Sequence, residues 1–171
     1  MKFTTKDLAI IALSGAFWSV INATIAPIIW KMTHLPFFCD LLAVIALVFG
    51  VWWVRKPGAG ILVGLVATLL NFVFRPGAFH FFGFTVASVV FDILTYIIGY
   101  ERCFVKRAGP ILVIVLSAIS TWVAGVVIGS FFMGGRVPVL IFSLLHAIGG
   151  IIGGVLSVII IKSLEIRGIK P

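Results

Sequence analysis

The sequence predicts an all-α integral membrane protein, a six-transmembrane-helix bundle with both termini cytoplasmic, formed by residues 1–171 as a single domain. Three observations carry this. Of 171 residues, 62% are apolar and 11% charged, against roughly 45–50% and 25% in soluble domains. The apolar runs between charged, Pro and Gly breaks are each close to the ~20 residues that a bilayer-spanning helix requires. The Lys and Arg residues gather on one of the two sides that such spans define.

Taken in order, the spans are expected at 8–30, 37–54, 58–74, 81–100, 110–133 and 137–161, the second and third being the shortest. The first follows Lys2 and Lys6 and resembles a signal peptide at a glance, but its apolar run is too long for a cleaved h-region. The Asn22-Ala23-Thr24 sequon falls inside this span and is read as accidental. Six spans put Lys2, Lys6, Arg55, Lys56, Arg102, Lys106, Arg107, Lys162, Arg167 and Lys170 on one side, and only Lys31, Arg75 and Arg136 on the other. Positive charge is retained in the cytoplasm, so both termini are assigned there, in a multi-pass protein of the cell membrane. One span more or fewer would erase the asymmetry. Trp30, Trp52, Trp53 and Tyr100 fall at span ends, where amphipathic rings favour the interface.

The excess of 13 basic over 5 acidic residues is thereby explained by topology, and no nucleic-acid partner is expected. Cys39 and Cys103 are expected at opposite faces, too far apart for a disulfide. The outer loops are 31–36, 75–80 and 134–136. The middle one, Arg75-Pro76-Gly77-Ala78-Phe79-His80, reads as a lid over a site or as an ordinary turn with an interfacial aromatic.

Helices in lipid associate through small residues that let backbones approach. Such pairs recur at Ala12/Ala16, Gly60/Gly64, Gly125/Gly129 and the doubled Gly149/Gly150 with Gly153/Gly154. The glycines are read as packing within the chain. Ala9, Ala12 and Ala16 form a smooth stripe on the first span, suited to docking a second membrane protein.

Polar residues inside the bilayer also follow helical spacing. Thr85, Ser88, Asp92 and Thr95 share a face of the fourth span; Ser117, Ser120 and Thr121 one of the fifth; Ser143, His146, Gly150 and Ser157 one of the sixth. At 1.5 Å per residue, His146 lies roughly 13 Å and Asp92 about 16 Å below the outer ends of their spans. An acid at such depth is expensive and is by default a functional candidate. Asn71 and Trp122 join them by position, so a pocket opening outward and floored near Asp92 and His146 is expected. No His-Glu-x-x-His, Cys-x-x-Cys, Gly-x-Ser-x-Gly or Walker motif is present, and carboxylates are too few for a divalent-metal cluster. Neither an enzyme nor a bound cofactor or metal is expected, and any driven transport must borrow energy from a partner.

The basic N-terminus, six short spans, Ala12-x-x-x-Ala16 and the final His146-Ala-Ile-Gly-Gly-Ile-Ile-Gly-Gly stretch ending near Lys162 resemble the substrate-binding S components of energy-coupling factor transporters along essentially the whole chain. The resemblance implies a subunit that captures a vitamin or related micronutrient in an outward-facing pocket, associates with a transmembrane T subunit and two cytoplasmic ATPases, and topples to release its substrate inside. It implies that Ala12 and Ala16 contact the T subunit and that Asn71, Asp92, Trp122 and His146 are pocket candidates. Cobalt- or nickel-type members carry an N-terminal Met-His motif that Met1-Lys2 does not match. A buried acid, an imidazole, hydroxyls and aromatics suit an amine-bearing heterocycle, such as thiamine or its pyrimidine precursor. The competing expectation is a self-contained small channel or passive carrier assembled through the Gly seams, followed by a membrane scaffold.

Overall fold

The computed structural model describes residues 2–33, 37–134 and 138–171, and it is helical without strands among them. Helix α1, Thr5–Thr24, starts at a reciprocal cap in which the Asp7 amide donates to Thr4 Oγ1 at 3.2 Å and the Thr4 amide to Asp7 Oδ2 at 2.7 Å. Pro27 lacks an amide hydrogen and disfavours helical geometry in the residue before it. The first predicted span is accordingly not one rod: α1 ends at Thr24 and a short α2, Ala26–Thr33, continues beyond the break.

Helix α3 covers Phe37–Val54 and α4 covers Ala59–Phe74. Their connection turns through Arg55 and Gly58, both at positive φ (48° and 91°). A turn at Phe79–Phe81 leads into α5, Phe82–Ile98, and Gly99 (φ 98°) separates it from the short α6, Tyr100–Phe104. Helix α7, Gly109–Val127, ends in one wider turn at Ile128–Phe132, and α8 runs from Val139 to Ile166. Among the described residues five stretches are long and apolar enough to cross a bilayer: Thr5–Thr24, Phe37–Val54, Phe79–Ile98, Gly109–Phe132 and Val139–Ile166. Helix α4 is equally apolar but has 16 residues, about 24 Å of rise against a ~30 Å hydrocarbon core. The chain is thus a multi-pass membrane protein in which, among the described residues, five helices meet the length requirement and the apolar α4 falls short of it.

Glycine sets how these helices meet. In α8, Gly150 and Gly154 face α7, against Thr121, Ser117 and Ile114, while Gly149 and Gly153 face α3. A methyl group on Gly149 would fall 2.8 Å from Asp40 Cβ, and one on Gly153 2.8 Å from Val44 Cβ. Gly125 of α7 returns the contact, its added methyl lying 2.9 Å from His146 Cβ. The doubled glycines therefore serve two neighbours at once and put α8 between α3 and α7. Gly15 seats α1 on Val63 and Val66 of α4, and Gly64 seats α4 on Ser88 of α5. The remaining alanines of the first span point elsewhere: Ala9 and Ala12 are exposed and Ala16 half-buried.

The two ends of the bundle differ. At one end Lys56 pairs with Asp7 and donates to the Lys2 carbonyl at 3.3 Å, Lys6 stands 5.1 Å over the Trp53 ring, and Lys162 adjoins Cys103 and Phe104. The interior beneath this end is filled by Val48, Val51, Trp52 and Val113, each 2% exposed or less. The opposite end gathers α2, the start of α3, the 75–81 segment and the start of α8, and it is hollow.

Candidate binding cavity

The hollow is a cavity of about 370 Å³, at the small end of the ~300–1,000 Å³ range of small-molecule sites. Its walls come from α1 (Trp18, Asn22), α3 (Cys39, Asp40, Val44, Leu47), α5 (Phe84, Phe91), α7 (Ser117, Ser120, Thr121) and α8 (Phe142, His146). Arg75, His80 and Lys31 also border it, from outside the long helices.

The indole of Trp18 fixes one wall. Its Nε1 donates to the Cys39 carbonyl at 3.2 Å, its ring stacks on Phe84 with centroids 4.3 Å apart, and Phe81 meets it edge-on at 6.1 Å. The polar centre lies on α3 and α8. His146 Nδ1 lies 2.7 Å from Asp40 Oδ2, and both side chains are buried. The two atoms meet at contact distance without hydrogen-bond alignment, and His146 Nε2 has no partner. Ser117 Oγ, also in the wall and fully buried, is likewise unpartnered. Phe142 packs edge-on against the imidazole at 4.6 Å and holds its plane.

Of the residues singled out in the sequence, His146 is in this wall and the other three pocket candidates are not. Asn71 is behind it: it accepts from Asn22 Nδ2 at 2.8 Å and donates to Ser19 Oγ at 3.2 Å and to the Ala67 carbonyl at 2.9 Å, tying α4 to α1. Asp92 serves the filled end. Its carboxylate accepts from the amides of Gly58 at 2.7 Å and Gly60 at 3.2 Å, capping the start of α4, whose own N-cap residue has no side chain to do so. The expected floor near Asp92 and His146 is therefore replaced by Leu47 and Phe91, with His146 in a side wall. Trp122 is 42% exposed, on the outer surface of α7. Arg136 lies outside the described residues, whereas Arg75 and His80 of the middle loop do border the cavity, with Arg75 5.7 Å over the Phe81 ring.

Asp40 is the residue that sequence reasoning passes over. It sits three residues inside the start of its span, where an acid is tolerated at the interface. The available signal is the stripe His146, Gly149, Gly153, one face of α8 at helical spacing, which required a helix able to pair with His146. Among the described residues no group of three potential ligands could hold a metal ion. What the arrangement can do is enclose a small molecule in a cavity lined by both Trp18 and the Asp40–His146 pair. No family model, curated protein or solved structure matches this chain.

Proposed function

We propose that this chain is the substrate-binding S component of an energy-coupling factor transporter, a six-span protein of the cell membrane with both termini cytoplasmic. It captures a vitamin or related micronutrient from outside, and a transmembrane T subunit with two ATPases supplies the energy for uptake. Thiamine and its pyrimidine precursor are the candidate substrates. The observation that carries this reading is the dead-ended cavity. It is hollow at the end away from the ten basic residues that the positive-inside rule assigns to the cytoplasm, and it stops at Leu47 and Phe91.

Three further features support it. The chain has no nucleotide-binding motif, so driven transport needs a partner. Ala9 and Ala12 are exposed and Ala16 is half-buried, a smooth strip of α1 on which a T subunit would dock with Ala12 and Ala16 at its centre. The break between α1 and α2 falls beside the cavity, where Ala26 and Pro27 line it. A self-contained channel needs a polar path through both ends, and the tightly filled interior around Val51 and Trp52 opposes it.

Reconstitution tests the reading. The purified protein in nanodiscs should bind one small molecule per chain, and liposomes containing the protein alone should show no flux of thiamine or its pyrimidine precursor. Flux without partner subunits would instead establish a passive carrier.

A further inference from the structure

Deepening the capture reading, on which it rests, we propose that the cavity selects a neutral, aminated aromatic heterocycle, its N–H edge turned inward to Asp40 and His146 and its acceptor-bearing end left at the mouth. The argument is a count of what the wall has left to offer. Four wall donors are already committed: Trp18 Nε1 to the Cys39 carbonyl at 3.2 Å, Asn22 Nδ2 to Asn71 at 2.8 Å, Ser120 Oγ to the Leu116 carbonyl at 2.7 Å and Thr121 Oγ1 to the Ser117 carbonyl at 2.9 Å. A hydroxyl has one hydrogen, so Ser120 and Thr121 present only lone pairs to the interior.

Asp40 adds a carboxylate, an acceptor. Asp40 Oδ2 and His146 Nε2 are both buried and without a hydrogen-bond partner, so each has a polar atom left for a ligand. Ser117 Oγ, unpartnered, and the second hydrogen of Asn22 Nδ2 remain as donors. The Asp40 oxygen and the Ser120 and Thr121 lone pairs await donors, and a buried acceptor left unmatched is costly, so the matching ligand carries N–H groups on that side. Trp18, Phe84, Phe91 and Phe142 make the rest of the wall aromatic and suit a flat ring.

The mouth has the opposite character. Lys31 and Arg75 border it, both exposed and cationic. They disfavour passage of a permanent cation and favour a hydroxyl or acidic group at the outer end. The two proposed substrates are separated by this, since thiamine carries a fixed positive charge and its pyrimidine alcohol does not.

The test is a set of titrations on the full chain in nanodiscs, with 4-amino-5-hydroxymethyl-2-methylpyrimidine, its 4-oxo counterpart, and thiamine as probes. The amino compound should bind about 30-fold or more tightly than the oxo compound, the size of one charge-assisted hydrogen bond, and more tightly than thiamine. Asp40→Asn, whose amide can donate to a carbonyl, should collapse the amino-to-oxo ratio even where it leaves the fold intact. Asp92→Asn should leave that ratio unchanged. Equal or tighter binding of the oxo compound, tighter binding of thiamine, an unchanged ratio in Asp40→Asn, or no binding of the amino compound would each overturn the inference. Recovery of a T subunit and ATPases alongside any of these results would leave the capture reading standing, while flux in protein-only liposomes would remove that reading instead.

Discussion

His146 Nδ1 and Asp40 Oδ2 stand 2.7 Å apart at the junction of α3 and α8, on two helices brought together by Gly149 and Gly153. Both side chains are buried in the protein, and a buried polar group without a partner loses its hydration and gains nothing in return. The pair is thus both a packing requirement and the polar centre of the cavity.

Removing one member should be worse than removing both. Asp40→Ala or His146→Ala should each destabilise the protein by about 3–5 kcal/mol, whereas Asp40→Leu combined with His146→Leu should recover much of that loss. Thermal unfolding of the wild type and the three variants in one detergent checks this, and additive losses would show that the two side chains do not interact.

Asp92 should behave as a cap. Asp92→Asn exchanges a charged acceptor of two amides for a neutral one, with an expected loss of about 1.5–3 kcal/mol. Ligand affinity should remain at the wild-type level in the same titrations. A large loss of affinity without loss of stability would return Asp92 to the binding site.

The glycines of α8 should be far less tolerant than a loop glycine. Gly153→Val drives a side chain into Leu41 and Val44 and should prevent recovery of folded protein. Gly77 has nothing within 4 Å of an added methyl, so Gly77→Ala should cost only the left-handed backbone penalty, about 1–2 kcal/mol. Size-exclusion profiles of the two variants distinguish these outcomes.

The strip on α1 should matter only to assembly. Ala12→Trp and Ala16→Trp should leave the isolated protein monodisperse with unchanged ligand affinity, and should abolish recovery of the T subunit. Retention of the T subunit in both variants would place the docking surface elsewhere.

What the sequence made legible follows from which forces are local. Hydropathy and charge are properties of the chain itself, so the helical membrane architecture was readable from Leu8 to Ile161, and the glycine seams of α8 were readable from their spacing. Helix length was less so: Pro27 ends α1 early through a steric clash that a hydropathy window averages away, and α4 is shorter than its neighbours. The site was the least legible. Depth along a single helix placed Asp92 and His146 together, but a carboxylate is positioned by its acceptor geometry, and the free amides of Gly58 and Gly60 hold Asp92 at the other end. Asn71 looked like a ligand group and is used between helices, because an intramembrane amide must satisfy both its donors and its acceptor. Asp40 was hidden by the opposite error, since near a span end an acid needs no explanation.

The account stands or falls on what the chain binds in its own membrane. The direct measurement is to tag it, purify it from its host in mild detergent, and identify by mass spectrometry the proteins and small molecules that accompany it. A transmembrane T subunit, two ATPases and one retained aminated heterocycle are the predicted result. A homo-oligomer carrying neither partner subunits nor a small molecule would contradict it.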